Sequence, residues 1–437
     1  MGRARGCLLL AWVFATPLYA KEQAVAEPLP EPLTLEAALA LADGDHPDMM
    51  RARGRLQAAR AARAEVDAES GVYLGMELAA RVIEPSDASA FQQHNDSFAR
   101  LYVRKRLYDF GRTQWRREAG DAEIQARQWA LIDARQQRRI EVMSRFFDVH
   151  LADLENARDT EAVAVAYVRL DKARARHRLK QLSDVALSKL EADYQTALRR
   201  QRVSEARQRT RRAQLAVALN RPDSLPAELE WPALPDVERV PEALDALVEA
   251  ALAGNPRLKS LRAARDAEMR RVHAARADRY PVLRGELEAA DYNRPSGGRA
   301  PLAASLALDV PFYDGGQAVA EVTRHQALVQ QRRAELAAAE LDLRQQVLEL
   351  WSEINTLRAR KTELEAVGEY RELVLDRSRA LYEMEVTSDL GDAQVRISDQ
   401  HLQRAENGFN LALDWARLDA LAGRPITAAG RETGRGE

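Results

Sequence analysis

The sequence predicts a mainly α-helical protein with a small β part. Ala, Leu, Arg, Glu and Gln, which favour helices, dominate the 437 residues, and only 21 Gly and 17 Pro interrupt them. Apolar residues recur at every seventh position from Val322 to Leu364, which is typical of long helices that supercoil around their neighbours. Four short segments instead alternate apolar and polar residues, which is the period of a strand.

Composition and charge exclude several classes of function. The 65 Lys and Arg nearly balance the 67 Asp and Glu, which argues against a nucleic-acid partner. Charged residues make up 30% of the chain, which argues against a bundle of membrane helices as well. The seven His are dispersed, Cys7 is the only cysteine, and no nucleotide-binding or nucleophile motif is present. We therefore expect no enzymatic activity, no cofactor and no metal site.

The N-terminus has the pattern of a secretory signal peptide, which we assign to residues 1–20. Arg3 and Arg5 precede a short apolar stretch, and small residues end the segment at Ala20. The alternative is an uncleaved, buried segment. After residues 1–20 no apolar run approaches the length of a membrane-spanning helix, so membrane contact would have to involve strands or the surface.

The rest of the chain contains an internal duplication. Residues 107–113, Leu-Tyr-Asp-Phe-Gly-Arg-Thr, match residues 312–318, Phe-Tyr-Asp-Gly-Gly-Gln-Ala, and residues 182–185 match residues 387–390 at the same offset. Such a long period indicates a duplicated domain. The predicted domains are a Pro-rich N-terminal segment (21–33), a first repeat (34–222), a Pro-rich linker (223–241), a second repeat (242–425) and a disordered tail (426–437).

Each repeat is expected to contain a helix, two strands and long helices. The first helix should begin after Thr34, continue past Pro47 and end near Glu69. Its counterpart runs from about Glu242 to Arg279. The helical stretch from about Thr113 to Lys180 would be on the order of 100 Å long.

The four strand candidates are amphipathic and about ten residues long; they comprise residues 72–82, 99–107, 283–289 and 302–310. This length and alternation fit a transmembrane barrel or the edge of a soluble sandwich. In lipid, four strands with open edges would leave backbone groups without hydrogen bonds, so subunits should associate. Two, three or four copies would supply eight, twelve or sixteen strands, and the strand sequences do not indicate the number of subunits.

Together these features resemble the TolC family of outer-membrane efflux proteins. The resemblance rests on the signal peptide, on His46-Pro47, on the repeated Tyr-Asp-x-Gly motif and on the repeated Ser-Asp motif. It implies a homotrimer in which four strands per protomer form a 12-stranded barrel in outer-membrane lipid. Long antiparallel coiled-coil helices would form an α-helical barrel across the periplasm.

The resemblance also implies a function. The protein would be the passive outer-membrane channel of a tripartite efflux or type I secretion system. It would dock with a periplasmic adaptor and an inner-membrane pump of the RND, ABC or MFS class. The alternative that the residues leave open is a periplasmic or surface coiled-coil scaffold without a pore.

Within that family, Asp389 and Asp392 resemble the periplasmic aperture motif. Two carboxylates three residues apart should share one helix face and would form two acidic rings in a trimer. The alternative is a solvated helix face near a turn. The first repeat has Asp184 but carries Leu187 in place of the second aspartate. Glu385 stands where some members of the family carry a basic residue.

Two further groups of residues are assigned from the repeats. The helix tips that would contact the adaptor carry Leu182, Ser183, Asp184, Thr387 and Ser388. The joints between strand and helix carry Tyr108, Asp109, Gly111, Tyr313, Asp314 and Gly316. At the joints we expect a structural role, with Gly relaxing the backbone and Asp capping the helix.

Overall fold

The computed structural model describes residues 29–86, 89, 91–222, 227–234, 238–294, 299–384 and 389–426. The predicted signal peptide, most of the predicted tail and part of the predicted linker lie outside these residues. Within the predicted tail, Ile426 is buried, and its carbonyl oxygen accepts a hydrogen bond from Arg139 at 2.6 Å.

The helices and strands follow one another in the same order twice. The first set is α1 (Leu35–Ala42), α2 (Pro47–Glu69), β1 (Val72–Ala79), β2 (Phe98–Tyr108), α3 (Arg112–Arg178) and α4 (Asp184–Ala218). The second set is α5 (Leu244–Gly254), α6 (Pro256–Ala277), β3 (Val282–Tyr292), β4 (Leu302–Asp309), α7 (Gln317–Glu383) and α8 (Leu390–Leu421). The prediction of a mainly helical fold with four strands is therefore confirmed.

The first helix of each repeat is interrupted, which the sequence analysis did not predict. Pro47 and Pro256 begin α2 and α6, and a residue before proline is disfavoured in the helical conformation. His46 and Asn255 cap these new helices: His46 Nδ1 accepts from the Asp48 amide at 3.3 Å, and Asn255 Oδ1 accepts from the Leu258 amide at 3.0 Å. Each predicted helix is therefore two helices joined by a short turn.

The long helices α3 and α7 each have 67 residues, which corresponds to about 100 Å. Helix α3 packs against α2, α4, α6 and α8, whereas α7 packs against α6 and α8. The seven-residue repeat of α7 explains its contact face, because Val329, Leu336, Leu343, Leu357 and Leu364 are all buried. Among the described helices, none has an apolar stretch that could cross a lipid bilayer.

Two cores lie near the middle of the long helices, under the short helices α1 and α5. One core joins α1 to α3, α4 and α8 around Phe146, Phe147 and Phe409. The other joins α5 to α6, α7 and α8 around Ile354 and Trp415. Since α8 contributes to both cores, it fixes the two repeats to each other.

Helices α4 and α8 end in the same kind of turn. Asn220 and Gly423 adopt left-handed backbone angles and complete Schellman turns. Beside these turns, Asn220 donates to the Asp45 carbonyl at 2.8 Å, and Asn255 donates to the Leu421 carbonyl at 3.1 Å. Each repeat thus attaches the turn between its first two helices to the end of its last helix.

His150 is a buried titratable group in the first core. It is 6% exposed, lies 5.1 Å from the rings of Phe146 and Trp231, and its Nε2 has no hydrogen-bond partner among the described residues. Burial lowers the pKa of His150 below the ordinary value of 6.5. Between the lowered pKa of the folded chain and the ordinary pKa of the unfolded chain, the unfolded chain binds a proton that the folded chain does not bind. The free energy of unfolding therefore falls as the pH drops below about 6.5.

We therefore expect the melting temperature to be lower at about pH 5.5 than at about pH 7.5, and part of this loss to disappear in His150→Phe. The measurement is thermal unfolding of both proteins in one buffer series. An equal loss in the two proteins would contradict a role for His150.

Candidate functional site

The sheet presents two chemically different faces. Its strand order is β1-β2-β3-β4, all antiparallel, so β1 and β4 are edges without a described partner strand. One face is apolar and exposed in the single chain, except for Lys105 near the end of β2; its large apolar side chains are Val72, Leu74, Met76, Leu78, Leu101, Leu287, Leu302, Leu306 and Leu308. Such a large apolar face on a folded sheet marks a surface that is covered by lipid or protein.

The opposite face carries a ladder of charges of both signs. Arg100 binds Glu77 on β1 at 2.5 Å and Glu288 on β3 at 3.3 Å, and Arg104 binds Glu286 at 2.8 Å. These cross-strand pairs hold three strands in register and keep the face polar. The ladder fits a surface that contacts water.

A glycine makes room for an aromatic ring on this polar face. The Tyr102 ring lies over Gly75 on the neighbouring strand, where an added Cβ would come within 2.6 Å of the ring. The Arg104 guanidinium lies 4.1 Å from the centroid of the same ring. Any larger residue at position 75 would displace Tyr102 from Arg104.

Exposed aromatic residues form a band where the strands join the helices. Tyr108 and Phe110 follow β2, Tyr280 precedes β3, and Phe312 and Tyr313 follow β4; all five are at least 45% exposed. Rings 4.8 Å and 5.8 Å apart connect Tyr108, Phe110 and Tyr280. Only Tyr108 and Tyr313 had been singled out from sequence, because the band is assembled from three segments that are distant along the chain.

At the joints, aspartate side chains cap the long helices. Gly111 and Gly316 have φ angles of 85° and 89°, which favour glycine. Asp109 Oδ2 accepts from the Thr113 amide at 3.0 Å. Asp314 accepts from the amides of Ala318 at 2.8 Å and Gly316 at 2.9 Å, and these bonds lower the pKa of its carboxyl.

The α3–α4 tip is the turn at the far end of α3 from the sheet, residues 176–185. Ser183 caps α4 by accepting from the Ala186 amide at 3.3 Å, and Asp184 Oδ1 lies 2.7 Å from His177 Nε2. Leu182 is half-buried. The corresponding predicted residues of the second repeat, Thr387 and Ser388, lie outside the described residues, as does Glu385.

The two predicted aperture residues lie at the start of α8. Asp389 is the residue before this helix, and its Oδ1 accepts from the buried Ser378 hydroxyl of α7 at 3.0 Å. Asp392 lies in the first turn and forms an ion pair with Arg169 of α3. The expectation that both carboxylates share one helix face therefore differs from the geometry of the single subunit, because one turns to α7 and the other to α3.

Arg169 was not identified from sequence, because nothing in the local pattern around it indicates its partner more than 200 residues away. A close approach of two helices makes the pair possible. Gly391 packs against Val165 of α3, and an added Cβ would lie 2.8 Å from the Val165 side chain. Small size at position 391 thus brings Asp392 within reach of Arg169.

A cavity of about 790 Å³ lies between α3, α7 and α8, on the side of α8 that the two cores leave free. Its walls carry Asp133, Glu349, Glu353, Asp414 and Arg417. Burial raises the pKa of Asp414, and Glu353 adds to the effect, whereas Arg417 opposes it. Within the described residues, no group of three or more His, Cys, Asp or Glu is placed to hold a metal ion.

The comparison with solved structures identifies the fold. The CmeC outer membrane channel of Campylobacter jejuni has a TM-score of 0.74 at 11% identity, covering 91% of this chain and 87% of that one. The outer membrane protein VceC of Vibrio cholerae has a TM-score of 0.69 at 15% identity, covering 89% and 96%. The MtrE outer membrane channel of Neisseria gonorrhoeae has a TM-score of 0.68 at 16% identity, covering 91% and 90%.

Sequence comparison adds a family match over part of the chain. A comparison with curated proteins gives no significant match. Residues 247–424 match the family model described as outer membrane efflux protein, a span that lies within the predicted second repeat. The family and the similar structures are outer-membrane channel proteins and not enzymes. The resemblance noted from sequence is therefore confirmed: the second repeat matches the outer membrane efflux protein model, and the fold of the chain is similar to that of outer-membrane channel proteins.

Proposed function

We propose that three copies of this chain form a passive duct through the outer membrane and the periplasm, for efflux or type I secretion. The barrel would contain twelve strands, four from each subunit, and the long helices would continue it as a helical tube. The duct would dock with a periplasmic adaptor and an inner-membrane pump of the RND, ABC or MFS class, which would supply the energy.

The observation that carries the proposal is the sheet. Its apolar face is exposed on all four strands, its other face is a charged ladder, and both of its edge strands lack partners within the described residues. An open edge in lipid costs several kcal/mol per unpaired backbone group. Pairing β1 of one subunit with β4 of the next removes both edges and puts the ladder on the inside.

The aromatic band supports the placement in a membrane. Tyr, Trp and Phe concentrate where hydrocarbon meets the head groups, and the band lies where the apolar strands end and the polar helices begin. It would mark the periplasmic boundary of the bilayer.

Exposed apolar positions on the outer helices support the association of subunits. Helix α7 exposes Ala320, Ala327, Ala334, Leu341 and Leu348, which repeat every seven residues, on a face that its own chain does not cover. Helix α2 exposes Ala58, Ala61 and Ala68. Small residues allow two helices to approach closely, so α7 of one subunit would pack against α2 of the next.

The test is reconstitution of the detergent-extracted protein in planar bilayers. We expect a trimer in detergent and discrete ion-conducting steps. A water-soluble, elongated monomer without conductance would instead identify the coiled-coil scaffold, and the proposal would fall.

The acidic residues at the start of α8 are proposed to line the periplasmic aperture and favour cations. Replacing Asp389 and Asp392 together with Ala should lower the cation preference in single-channel records, because a charged narrow pore selects by its field. Unchanged selectivity would reject their role.

Arg169 allows a sharper version of this test. Because it neutralises Asp392, Arg169→Ala should raise the cation preference, whereas Arg199→Ala, which removes an exposed cation of α4 far from the tip, serves as the control. The side chains of Arg169 and Asp392 are 47% and 37% exposed, so we expect a stability change of less than about 1 kcal/mol, screened by salt. A fall in cation preference in Arg169→Ala would contradict the pairing.

A further inference from the structure

The two hairpin ends of each subunit carry opposite charge. Residues 169–193, around the α3–α4 tip, contain seven Lys or Arg and four Asp or Glu. The corresponding residues of the second repeat, 374–398, contain three Lys or Arg and five Asp or Glu. The balanced charge of the whole chain conceals this difference.

The basic charge at the α3–α4 tip is not neutralised within the subunit. Of the four acidic groups nearby, Asp184 is paired with His177 and Glu191 binds Arg174 at 2.8 Å, whereas Asp171 and Asp193 form no ion pair with a described residue. The side chains of Lys172, Arg176, Arg178 and Lys180 are exposed, and none forms an ion pair with a described residue. Among the described residues these four unpaired cations outnumber the two unpaired carboxylates, so the tip keeps a net positive charge.

Apolar side chains lie among these cations. Leu179 is 68% exposed and Val185 is 80% exposed, on either side of the half-buried Leu182. An apolar centre with a charged rim is the usual arrangement of a protein interface. Unpaired rim charges of one sign steer a partner of the opposite sign and exclude partners of the same sign.

The tip is also held in one conformation. Lys180 adopts a left-handed backbone angle, and the Gln181 amide closes a Schellman turn on the Arg176 carbonyl at 2.9 Å. Ser183 then caps α4. A turn fixed in this way loses little entropy when a partner binds.

We propose that the α3–α4 tip docks a protein whose contact surface carries carboxylates around an apolar side chain. This inference rests on the proposed duct and specifies the chemistry of its periplasmic partner. A protein is favoured over an anionic membrane because the tip lies about 100 Å along α3 from the strands that would span the bilayer.

The test uses the full-length protein in detergent and, because the partner is unidentified, a synthetic antiparallel helical hairpin as the probe. The turn of the hairpin displays one leucine flanked by four glutamates; matched hairpins carry four glutamines or four lysines. Affinity is measured by fluorescence anisotropy at about 50 mM and about 300 mM NaCl. We expect the glutamate hairpin to bind at least about tenfold more tightly than the glutamine hairpin, less so at high salt, and the lysine hairpin not to bind.

Charge reversal locates the surface. The triple variant Arg176→Glu, Arg178→Glu, Lys180→Glu should lose at least about tenfold in affinity for the glutamate hairpin and bind the lysine hairpin instead. The matched control is Arg199→Glu, Arg200→Glu, Arg202→Glu, which reverses three exposed cations on α4 that also lack ion pairs among the described residues. The control should change the affinity by less than about twofold.

Four results would overturn the inference: equal binding of the three hairpins, no binding of any hairpin, equal loss in both triple variants, or tighter binding to vesicles of anionic phospholipid than to the glutamate hairpin. Trimer assembly and bilayer conductance of the same preparations are measured in parallel. If conductance persists while hairpin binding fails, only the partner inference falls; if conductance is absent, the proposed duct itself fails.

Discussion

Replacing Leu306 with arginine is expected to abolish assembly in the membrane. Leu306 lies in the middle of β4, is 73% exposed and belongs to the apolar face. An arginine that faces lipid near the middle of a barrel strand costs about 2–4 kcal/mol, and a trimer would contain three. The measurement is the amount of trimer extracted from membranes, together with refolding into lipid vesicles.

The neighbouring residue provides the control. Ser305 lies on the opposite face, directly across from Glu286 of β3, so Ser305→Arg places a cation beside a carboxylate on the polar side. We expect this variant to assemble and conduct. If the two variants behave alike, the assignment of the two faces is incorrect.

Gly254→Ala is expected to cause the largest loss of stability in the helical region. Gly254 ends α5 against the end of α8, and an added Cβ would overlap the carbonyl oxygen of Ala422. Because the obstacle is backbone, no side-chain rotation can relieve it. We expect a loss of about 3 kcal/mol or more in the free energy of unfolding, measured by denaturant titration.

Gly423→Ala should be similarly damaging, since its Cβ would overlap the Gly254 carbonyl and its φ of 73° disfavours alanine. Gly408→Ala is the matched control on α8. Its Cβ would only touch the Leu234 side chain at 3.4 Å, and alanine is favoured over glycine in a helix by up to about 1 kcal/mol. If Gly254→Ala is as stable as Gly408→Ala, the close contact between α5 and α8 is wrong.

Features that depend on local pattern could be predicted from the sequence. The strands follow from alternation of apolar and polar residues, and the buried seam of α7 follows from its seven-residue repeat. The interruptions before Pro47 and Pro256 were missed even though both prolines are visible, because the apolar pattern continues across them. His46 and Asn255 act there as caps, a role that pattern alone does not indicate.

Features that depend on which helices become neighbours could not be predicted. The pairing of Arg169 with Asp392 requires α8 to lie beside α3, and the ring contact in the aromatic band requires Tyr280 to lie beside Phe110. Asp389 was expected on the face of a helix, but α8 begins one residue later, which leaves Asp389 as its cap residue. The direction of its side chain is set by the Ser378 hydroxyl of α7, which donates to its carboxylate.

The central claim is that β1 of one subunit pairs with β4 of the next. The direct measurement is disulfide formation in a chain with Cys7→Ser and Met76→Cys, scanned with cysteine at residues 302–308. Within one sheet the two edges are separated by three strand spacings, about 14 Å, which is too far for an internal disulfide. We predict that, at one cysteine position of the scan, denaturing gels show disulfide-linked dimers and trimers and no larger species. Chains that remain monomeric on denaturing gels at every position would contradict the account.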